Sequence, residues 1–268
     1  MSWDKKEVFY NKSLERALQI LNAFKSDRHA LTVAQLSETL RLPRSTVLRL
    51  CSTLVKYDFL RHDPESRRYS LGLNLFELGS IVFYSLSVGK IASPYLSQLQ
   101  KKLGKTIFLG ILDNDELLYI DKRENTNNPI RFTSKIGTRR PPYWGMLGSM
   151  LMAYLPDSEI ERLLQKSPLT ATTKKSFTKK EEFKEWLRQL RKQGYVVEVE
   201  IALEGIAGVA APIRDFTGKV IAGIGVGFIA SSVDSKGLKR IVKETLGTAL
   251  KISKEGGYLE TREHDATE

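Results

Sequence analysis

Residues 32–56 carry the feature that most restricts the fold of this chain: two amphipathic helical patterns separated by a short turn. "TVAQLSETL" (32–40) places Val33, Leu36 and Leu40 on one face. Thr32 and Gln35 fit a capping box at its start. After "RLP" (41–43), a second helix is predicted from about Ser45 to Lys56, with a buried stripe at Val47, Leu50, Cys51 and Leu54. Two helices joined this closely predict a helix-turn-helix.

The outward face of the second helix is basic. Residues 41–56 contain four basic side chains and no acid: Arg41, Arg44, Arg49 and Lys56. In a helix-turn-helix, residues near the start of the second helix meet base edges and phosphates. The alternative is an ordinary solvated helix face. The predicted DNA contacts in this region are Thr32, Arg44, Ser45, Thr46, Arg49, Thr53 and Lys56.

A basic hairpin is predicted directly after these helices. "DFLRHDPESRRYSLG" has a turn at residues 63–66 between two extended runs, Phe59–His62 and Arg67–Leu71. Such a hairpin would be the wing of a winged helix-turn-helix. Arg67 and Arg68, near its tip, are predicted to reach phosphate or the minor groove. The alternative is that these two charged residues only keep an exposed turn soluble. Upstream, Ser13 is predicted to cap a helix to about Phe24, with an apolar face at Leu14, Ala17, Leu18, Leu21 and Phe24.

Whole-chain properties agree with a DNA-binding protein. The net charge of +11 favours an anionic partner, although a merely basic protein has the same charge. Cys51 is the single cysteine and lies on an apolar face, which indicates a core residue and a reducing compartment. No stretch has the pattern of a signal peptide or a membrane span. The expected location is cytoplasmic.

The second half of the chain predicts an α+β domain. An apolar helix over 72–86 is predicted as a linker, and its residues Leu73, Phe76, Ile81 and Val82 are expected to be buried. A second helix ends at Gly104. Strands are predicted at 106–112, 117–123 and 130–135, then in "YVVEVE", "GVAAPIRD" and "KVIAGIGVGF". Three more helices are predicted. The first covers 144–155, the second begins at a capping box of Thr178 and Glu181 and ends at Gly194, and the third covers 235–252. A polar tail at 255–268 follows.

The residues needed for common catalytic sites are missing from this second half. The histidines are His29, His62 and His264, and no cysteine follows Cys51. Nucleophilic sites of the Cys–His or Ser–His–Asp type are therefore not expected in this second half of the chain. Zinc sites built from Cys and His are not expected there either. No phosphate-binding glycine loop occurs either. We expect no enzyme activity, no metal and no cofactor.

One strand of the second half is unusual for its glycines. Gly223, Gly225 and Gly227 alternate, so they should share one face, and Gly208 begins the neighbouring strand. Glycine inside a strand often marks close approach by a ligand or by another part of the backbone. A ligand pocket fits this pattern, and so does the alternative of a bulge or a tightly packed helix.

Residues 13–79, with "LTVAQLSETLRLPRSTVLRLCSTLVKYDFL" and "RRYSLGLNLFELGS", resemble the winged helix-turn-helix of the IclR-type transcriptional regulators. "IGTRRPPYWGMLGSMLMAYLP" and "GYVVEVEIALEGIAGVAAPIRDFTGKVIAGIGVGF" extend the resemblance to about residue 252 and match a GAF-like effector domain, more loosely in detail. The resemblance implies four regions: a DNA-binding domain (1–71), a linker helix (72–86), a GAF-like domain (87–254) and the tail (255–268).

The resemblance also implies an effector site, with departures. Members that bind small carboxylic acids have small polar residues at the positions of Gly208, Gly225 and Gly227, and an acid at Glu198. Tyr143, Trp144 and Ser149 replace a histidine, a small residue and a lysine. The predicted effector is therefore larger and less polar, for example aromatic, unless aromatic bulk fills the space. The predicted effector contacts are Phe132, Tyr143, Trp144, Met146, Leu147, Glu198, Gly208, Gly225 and Gly227.

These observations together predict a ligand-responsive transcriptional regulator. Its expected partners are double-stranded DNA, a small-molecule effector and further copies of itself, as a homodimer or homotetramer, with no membrane. The 72–84 helix is a candidate dimer contact. Two alternatives remain: a DNA-binding protein whose second domain serves assembly or a protein partner, and an enzyme that carries a DNA-binding domain.

Overall fold

A computed structural model describes residues 11–24, 28–85, 87–124 and 132–259 of the chain. The chain divides into two compact units, Met1–Ser85 and Leu86–Glu268. Within the described residues, no helix has the length and apolar composition needed to cross a bilayer.

The first unit contains four helices and three short strands among its described residues. They are α1 (Lys12–Ala23), β1 (Ala30–Thr32), α2 (Val33–Leu40), α3 (Arg44–Lys56), β2 (Leu60–Asp63), β3 (Arg68–Leu71) and α4 (Asn74–Ser85). The strands form an antiparallel sheet in the order β1-β3-β2. Side chains from α1, α2, α3 and all three strands build the core: Ile20, Phe24, Leu31, Leu36, Val47, Cys51, Leu60 and Tyr69. The predicted winged helix-turn-helix is confirmed.

The connection between α2 and α3 follows the sequence closely. The capping box is present: the Gln35 side chain accepts from the Thr32 N–H at 2.9 Å, and Thr32 Oγ1 accepts from the Gln35 N–H at 3.3 Å. Arg41 ends α2 in the left-handed region, with φ 52°. Ser37 Oγ then donates to the Leu42 carbonyl at 2.6 Å, and Pro43 begins α3. The turn is therefore fixed by local hydrogen bonds.

Two expectations for α1 are wrong. The helix begins two residues earlier than predicted, so Asn11 caps it instead of Ser13, and Asn11 Oδ1 accepts from the N–H groups of Ser13 and Leu14. The buried face includes Ile20 with Phe24, whereas Leu14 and Leu18 are 60% and 51% exposed in the single chain. Apolar side chains thus occur on two faces of α1, and only one of these faces packs against this core.

The second unit is a six-stranded antiparallel sheet covered by helices on both faces. Its elements are α5 (Ser87–Leu103), β4 (Thr106–Asp113), β5 (Glu116–Arg123), β6 (Arg139–Arg140), α6 (Gly145–Ala153), α7 (Asp157–Lys166), α8 (Lys180–Gln193), β7 (Val196–Val199), β8 (Ile206–Arg214), β9 (Val220–Ile229), a 3-10 turn (Ala230–Ser232) and α9 (Ser235–Glu255). The strand order is β6-β5-β4-β9-β8-β7. This unit completes the predicted α+β fold.

Two separate apolar cores hold the helices against the sheet. On one face, α5 and α9 pack through Leu96, Leu99, Ile241 and Ile252. On the other face, α6 lies directly on the strands, and α7 and α8 pack around it through Leu163, Phe183 and Leu187. Seven of the nine residues of α6 are buried, because this helix is enclosed by the sheet on one side and by helices on the other.

Three expectations for the second unit are corrected. Of the strand predicted at 130–135, residues 130 and 131 lie outside the described residues, and 132–135 is not a strand. The Phe132 carbonyl instead accepts from Lys122 Nζ at 2.7 Å, and Arg139–Arg140 pairs with β5. The capping box predicted from Thr178 and Glu181 is absent. Helix α8 begins after Lys179, so Glu181 is the second residue of the helix, whereas the box requires it to be the third. The helix predicted at 144–155 ends earlier, at Ala153, and Pro156 instead precedes α7, which was not predicted.

Expectations for the linker and the tail have mixed outcomes. Leu73 and Phe76 were expected to be buried, but they are 51% and 73% exposed in the single chain. Ile81 and Val82 have side chains outside the described set. Helix α9 continues to Glu255, beyond the predicted end at residue 252, because Ile252 and Ser253 are buried. Residues 260–268 of the predicted tail lie outside the described residues.

Candidate functional site

The outward face of α3 is the first candidate site. Arg44, Ser45 and Arg49 are exposed, and Thr46 is half-buried beside them. Lys56 and Thr53 continue this face toward the end of the helix. Among the described residues, no acidic side chain forms an ion pair with Arg44 or Arg49. Their positive charge is therefore available to an anion.

The N-terminus of α3 has no capping side chain. Pro43 precedes it and offers no acceptor, and the first turn contains no acid. By contrast, side chains of Asn11, Thr32 and Asp234 cap α1, α2 and α9. Unsatisfied N–H groups and the positive end of the helix dipole together favour an anion such as phosphate. This end of α3 therefore fits a phosphate group beside the basic face.

Two further residues of this face were missed by the sequence prediction. Leu48 is 49% exposed and lies between Arg44 and Ser52, one helical turn from each. Ser52 is exposed, and its hydroxyl donates to the Leu48 carbonyl at 2.9 Å. An exposed leucine outside the buried stripe was the available signal, because apolar side chains contact the methyl group of thymine.

The hairpin and the capping box supply fewer available groups than predicted. Arg67 is exposed at the turn, with φ 53°. Arg68 lies on the strand, and its Nη1 donates to the Ala30 carbonyl at 3.1 Å. Thr32 has its hydroxyl in the capping box. Arg67 is therefore the predicted wing residue that remains available, while Arg68 holds β1 against β3.

The glycine-rich face of the sheet is the second candidate site. Glu198, Gly208 and Gly227 are directly paired across β7, β8 and β9, and the other strand glycines share this face. Helix α6 lies against it: a Cβ at Gly208 would be 2.1 Å from Met146 Sδ, and one at Gly223 would be 2.1 Å from Met150 Cε. The glycines thus allow a helix to approach the sheet closely, which was one of the two interpretations.

A small cavity of about 60 Å³ remains at the end of this contact. Six of the nine predicted effector contacts line it: Phe132, Trp144, Met146, Glu198, Gly208 and Gly227. Three do not. Tyr143 faces away and donates to the Pro168 carbonyl at 2.8 Å, and Leu147 is buried over Gly225.

The polar groups of the cavity are few and buried. Glu198 is 6% exposed, its Oε1 accepts from the Ala202 N–H at 2.8 Å, and burial raises the pKa of its carboxyl to about 7. Tyr119 lies nearby, and burial raises the pKa of its phenol to about 12, opposed by a hydrogen bond with Ser134. The sequence prediction missed Tyr119 and Ser134. These two residues line the cavity beside Glu198 only because of tertiary packing, and no pattern in the sequence indicates such packing.

The segment 200–205 covers Glu198 and is held by three hydroxyl groups, which we call the hydroxyl latch: Thr172, Thr173 and Ser176. Thr173 Oγ1 donates to the Glu200 carbonyl at 2.7 Å, and Ser176 Oγ donates to the Ile201 carbonyl at 2.7 Å. Thr172 Oγ1 donates to the Ala202 carbonyl at 2.8 Å. The latch therefore binds three consecutive carbonyls of a segment whose residues Ala202 and Leu203 line the cavity.

Replacing Glu198 with glutamine should change how stability depends on pH. In the folded protein, the pKa of Glu198 lies above its ordinary value of 4.5, so the folded state holds the proton more tightly than the unfolded state. Stability should therefore fall as pH rises from about 4.5 to about 7. Glu198→Gln should remove this slope and raise stability at pH 8 by up to about 3 kcal/mol.

Denaturant unfolding at several pH values measures this effect. Glu181→Gln, at an exposed position on α8, is the matched control and should leave the profile unchanged. Parallel pH profiles for wild type and Glu198→Gln would show that Glu198 is not the group responsible.

The described residues contain no group of three or more His, Cys, Asp or Glu side chains placed to hold a metal ion. The single cysteine, Cys51, is buried in the first unit, where burial raises the pKa of its thiol to about 11. Its thiol is therefore protonated at neutral pH and unreactive.

Comparison with known proteins matches both units. A model of the IclR helix-turn-helix domain matches residues 13–64, and a model of the bacterial transcriptional regulator IclR C-terminal domain matches residues 81–254. The chain is similar to the HTH-type transcriptional regulator XynR of Escherichia coli, with 32% identity over 92% of this chain and 98% of XynR.

Solved structures share the arrangement of elements. An IclR transcriptional regulator from Alicyclobacillus acidocaldarius is similar with a TM-score of 0.81 and 29% identity, over 93% of this chain and 100% of that one. An IclR homologue from Microbacterium hydrocarbonoxydans, complexed with 4-hydroxybenzoate, has a TM-score of 0.82 and 23% identity, over 91% and 99% of the two chains. At that identity, the second likeness concerns the fold alone.

Proposed function

The chain belongs to the IclR family of bacterial transcriptional regulators, and from this premise we propose that it binds a specific operator through α3 and the adjoining hairpin. The single observation that supports this most is the start of α3. There an uncapped, acid-free helix end lies beside Arg44, Ser45 and Arg49, all exposed. Arginine side chains read guanine with two hydrogen bonds, while N–H groups and serine hydroxyls position phosphates.

Fluorescence anisotropy on the DNA upstream of the protein's own gene tests this function. We expect binding that persists against excess unrelated DNA and weakens steeply as salt rises, because phosphate contacts release counterions. Binding that unrelated DNA removes equally well would leave only a basic surface and would contradict the proposal.

We propose that the operator is bound by at least two copies of the chain. Leu14, Leu18, Leu73 and Phe76 leave exposed apolar surface on α1 and before or within α4 of the single chain. Exposed apolar side chains mark a protein interface where they form a contiguous patch. Two-fold symmetric proteins also bind pseudo-palindromic sites, with one recognition helix for each half-site. Titration of operator DNA should therefore give an even number of chains for each duplex.

We propose that the second unit senses a small organic compound, with an aromatic acid or a related metabolite as the favoured class. Aromatic side chains of Phe108, Phe132 and Trp144 wall the cavity, and Glu198 and Tyr119 supply the polar groups. A benzene-sized ligand needs a cavity near 150 Å³, so a volume of about 60 Å³ is too small unless a side chain moves. Met146, an unbranched side chain half-buried between Gly208 and Gly225, is the side chain able to move.

Replacing Met146 with alanine should increase the response to such ligands. The substitution removes the side chain that fills the glycine-lined space, so aromatic acids such as 4-hydroxybenzoate should raise the melting temperature more than in wild type. Without ligand, the variant should lose about 1–3 kcal/mol of stability. Met152→Ala is the matched control, because Met152 lies on the same helix, is buried and does not line the cavity.

The control variant should lose stability without gaining a ligand response. If no compound shifts either wild type or Met146→Ala, the second unit serves assembly or binding to a protein partner instead. We also propose that the protein is not an enzyme, in keeping with its regulator relatives. Chemical conversion of a bound ligand during incubation would contradict that part.

A further inference from the structure

The two helical layers of the second unit differ sharply in charge. Helices α7 and α8 carry seven basic and six acidic side chains, whereas α5 and α9 carry nine basic and two acidic ones. On the first layer, ion pairs neutralise most charges, including Arg162 with Asp115, Lys184 with Glu161 and Arg188 with Glu185. Within the second unit, the charges of the α7 and α8 layer are thus largely balanced, whereas those of the α5 and α9 layer are not.

The acids of the α5 and α9 layer are already engaged. Glu244 pairs with Lys102 at 2.6 Å, and Glu255 accepts a hydrogen bond from the Tyr95 hydroxyl. Asp234, just before α9, caps it by accepting from the Gly237 N–H at 2.7 Å. Among the described residues, Lys236, Lys239 and Lys243 form no ion pair. These three lysines therefore keep their positive charges without an ion-pair partner among the described residues.

The exposed basic residues of α9 share one side of the helix and meet basic residues of α5 at one end. Lys236, Lys239, Lys243 and Lys251 recur on the exposed side of α9, over about 22 Å of helix. The two helices run antiparallel, since Tyr95 meets Glu255 and Lys102 meets Glu244. The basic end of α5 therefore lies beside the basic start of α9. An open groove of about 520 Å³ is found at this end, and Lys105 and Arg240 line it.

We propose that this surface of α5 and α9, which we call the basic helical face, binds the phosphate backbone of double-stranded DNA without reading its sequence. The proposal rests on the proposed function, because operator binding by the first unit raises the local concentration of phosphate. Lysine predominates on this face. Its ammonium group acts as a point charge that suits phosphate, whereas reading bases with two hydrogen bonds favours arginine.

Other partners fit this face less well. Protein interfaces have an apolar centre and contain few lysines. Membrane-surface helices bury an apolar face in the lipid. No large hydrophobic residue is exposed on α5 or α9 among the described residues, because their apolar side chains pack against the sheet. A surface made of charge alone, without apolar contacts, is what backbone binding to DNA requires.

The test compares two triple variants of the full chain with equal changes in net charge. One carries Lys236→Gln, Lys239→Gln and Lys243→Gln on α9. The matched control carries Lys135→Gln, Lys174→Gln and Lys192→Gln, at exposed positions away from α5 and α9. Operator affinity is measured over a range of salt concentrations. Two duplexes are used: the minimal footprint found by nuclease protection, and the same site extended by about 10 base pairs on each side.

On the extended duplex, the salt slope of log K should decrease by about 0.9 for each phosphate that the α9 variant no longer neutralises. The control should keep the wild-type slope, and the difference should shrink on the minimal duplex. Equal slopes for all three proteins, with specific operator binding retained, would overturn this proposal. A similar decrease in the control would also overturn it, because the cause would then be net charge.

Two further outcomes separate the alternatives. If the wild-type protein shows no preference for the operator, the proposed function fails. This result is obtained before any variant is compared. Flotation with phosphatidylserine vesicles that depends on the same three lysines, without any change in the DNA salt slope, would assign the face to membranes and overturn the proposal.

Discussion

Replacing Gly72 with alanine is expected to unfold the DNA-binding unit and abolish operator binding. A Cβ at this position would lie 1.9 Å from the Asp58 carbonyl oxygen and 2.9 Å from the Phe59 carbonyl carbon. Both atoms are backbone, so no side-chain rotation relieves the overlap. The Gly72 N–H also donates to the Phe59 carbonyl at 2.9 Å, which fixes the strand ends at this separation. Overlap of this kind costs more than about 4 kcal/mol, a large part of the stability of a small unit.

Gly79→Ala is the matched control for this prediction. Gly79 lies within α4 of the same unit, and a Cβ there would meet nothing within 4 Å. That substitution should be neutral or should stabilise the helix by up to about 1 kcal/mol. Circular dichroism melting together with operator anisotropy measures both variants. A Gly72→Ala protein that melts like wild type and binds the operator would show that the backbone here shifts easily.

Replacing Arg49 with alanine should produce the largest loss of operator affinity among substitutions that leave the fold intact. Arg49 is exposed on α3 and forms no ion pair among the described residues. A guanidinium group that reads guanine contributes about 1–3 kcal/mol of discrimination, which corresponds to roughly 5- to 150-fold in affinity at each half-site. Arg49→Lys should lose much of this discrimination while keeping the charge, because lysine cannot form the paired hydrogen bonds.

Anisotropy on the operator and on singly substituted operators measures the effect. Lys192→Ala, on the exposed side of α8, removes one positive charge as well and should leave affinity nearly unchanged. If Arg49→Ala weakens binding to every duplex by the same factor, Arg49 contacts phosphate and does not read a base.

Local signals in the sequence predicted the first unit well. The Thr32 and Gln35 pair forms its capping box, because both partners belong to one turn of helix and need no distant residue. The same pattern failed at Thr178, where the helix begins one residue later than the pattern requires. Such a motif depends on which residue begins the helix, and α8 begins after Lys179 instead of after Thr178.

The second site was predictable only in part. Alternation in β9 correctly placed Gly223, Gly225 and Gly227 on one face, since strand geometry alone decides this. What fills the space beside them depends on Met146 and Met150, more than seventy residues earlier in the chain. Tyr119 and Ser134 reach the cavity through pairing of β5 and through a loop, and neither has a periodic signal. Contacts between elements distant in sequence therefore limited the prediction.

The hydroxyl latch would lower the apparent affinity of any ligand that enters beneath residues 200–205. Opening the segment breaks three hydrogen bonds, from Thr172, Thr173 and Ser176, each with a net contribution of about 0.5–1.5 kcal/mol. The open form would then be populated between about one part in ten and one part in two thousand. The apparent affinity of such a ligand would be reduced by the same fraction. A ligand of the proposed site would therefore need an intrinsic affinity that exceeds its apparent affinity by a factor between about ten and two thousand.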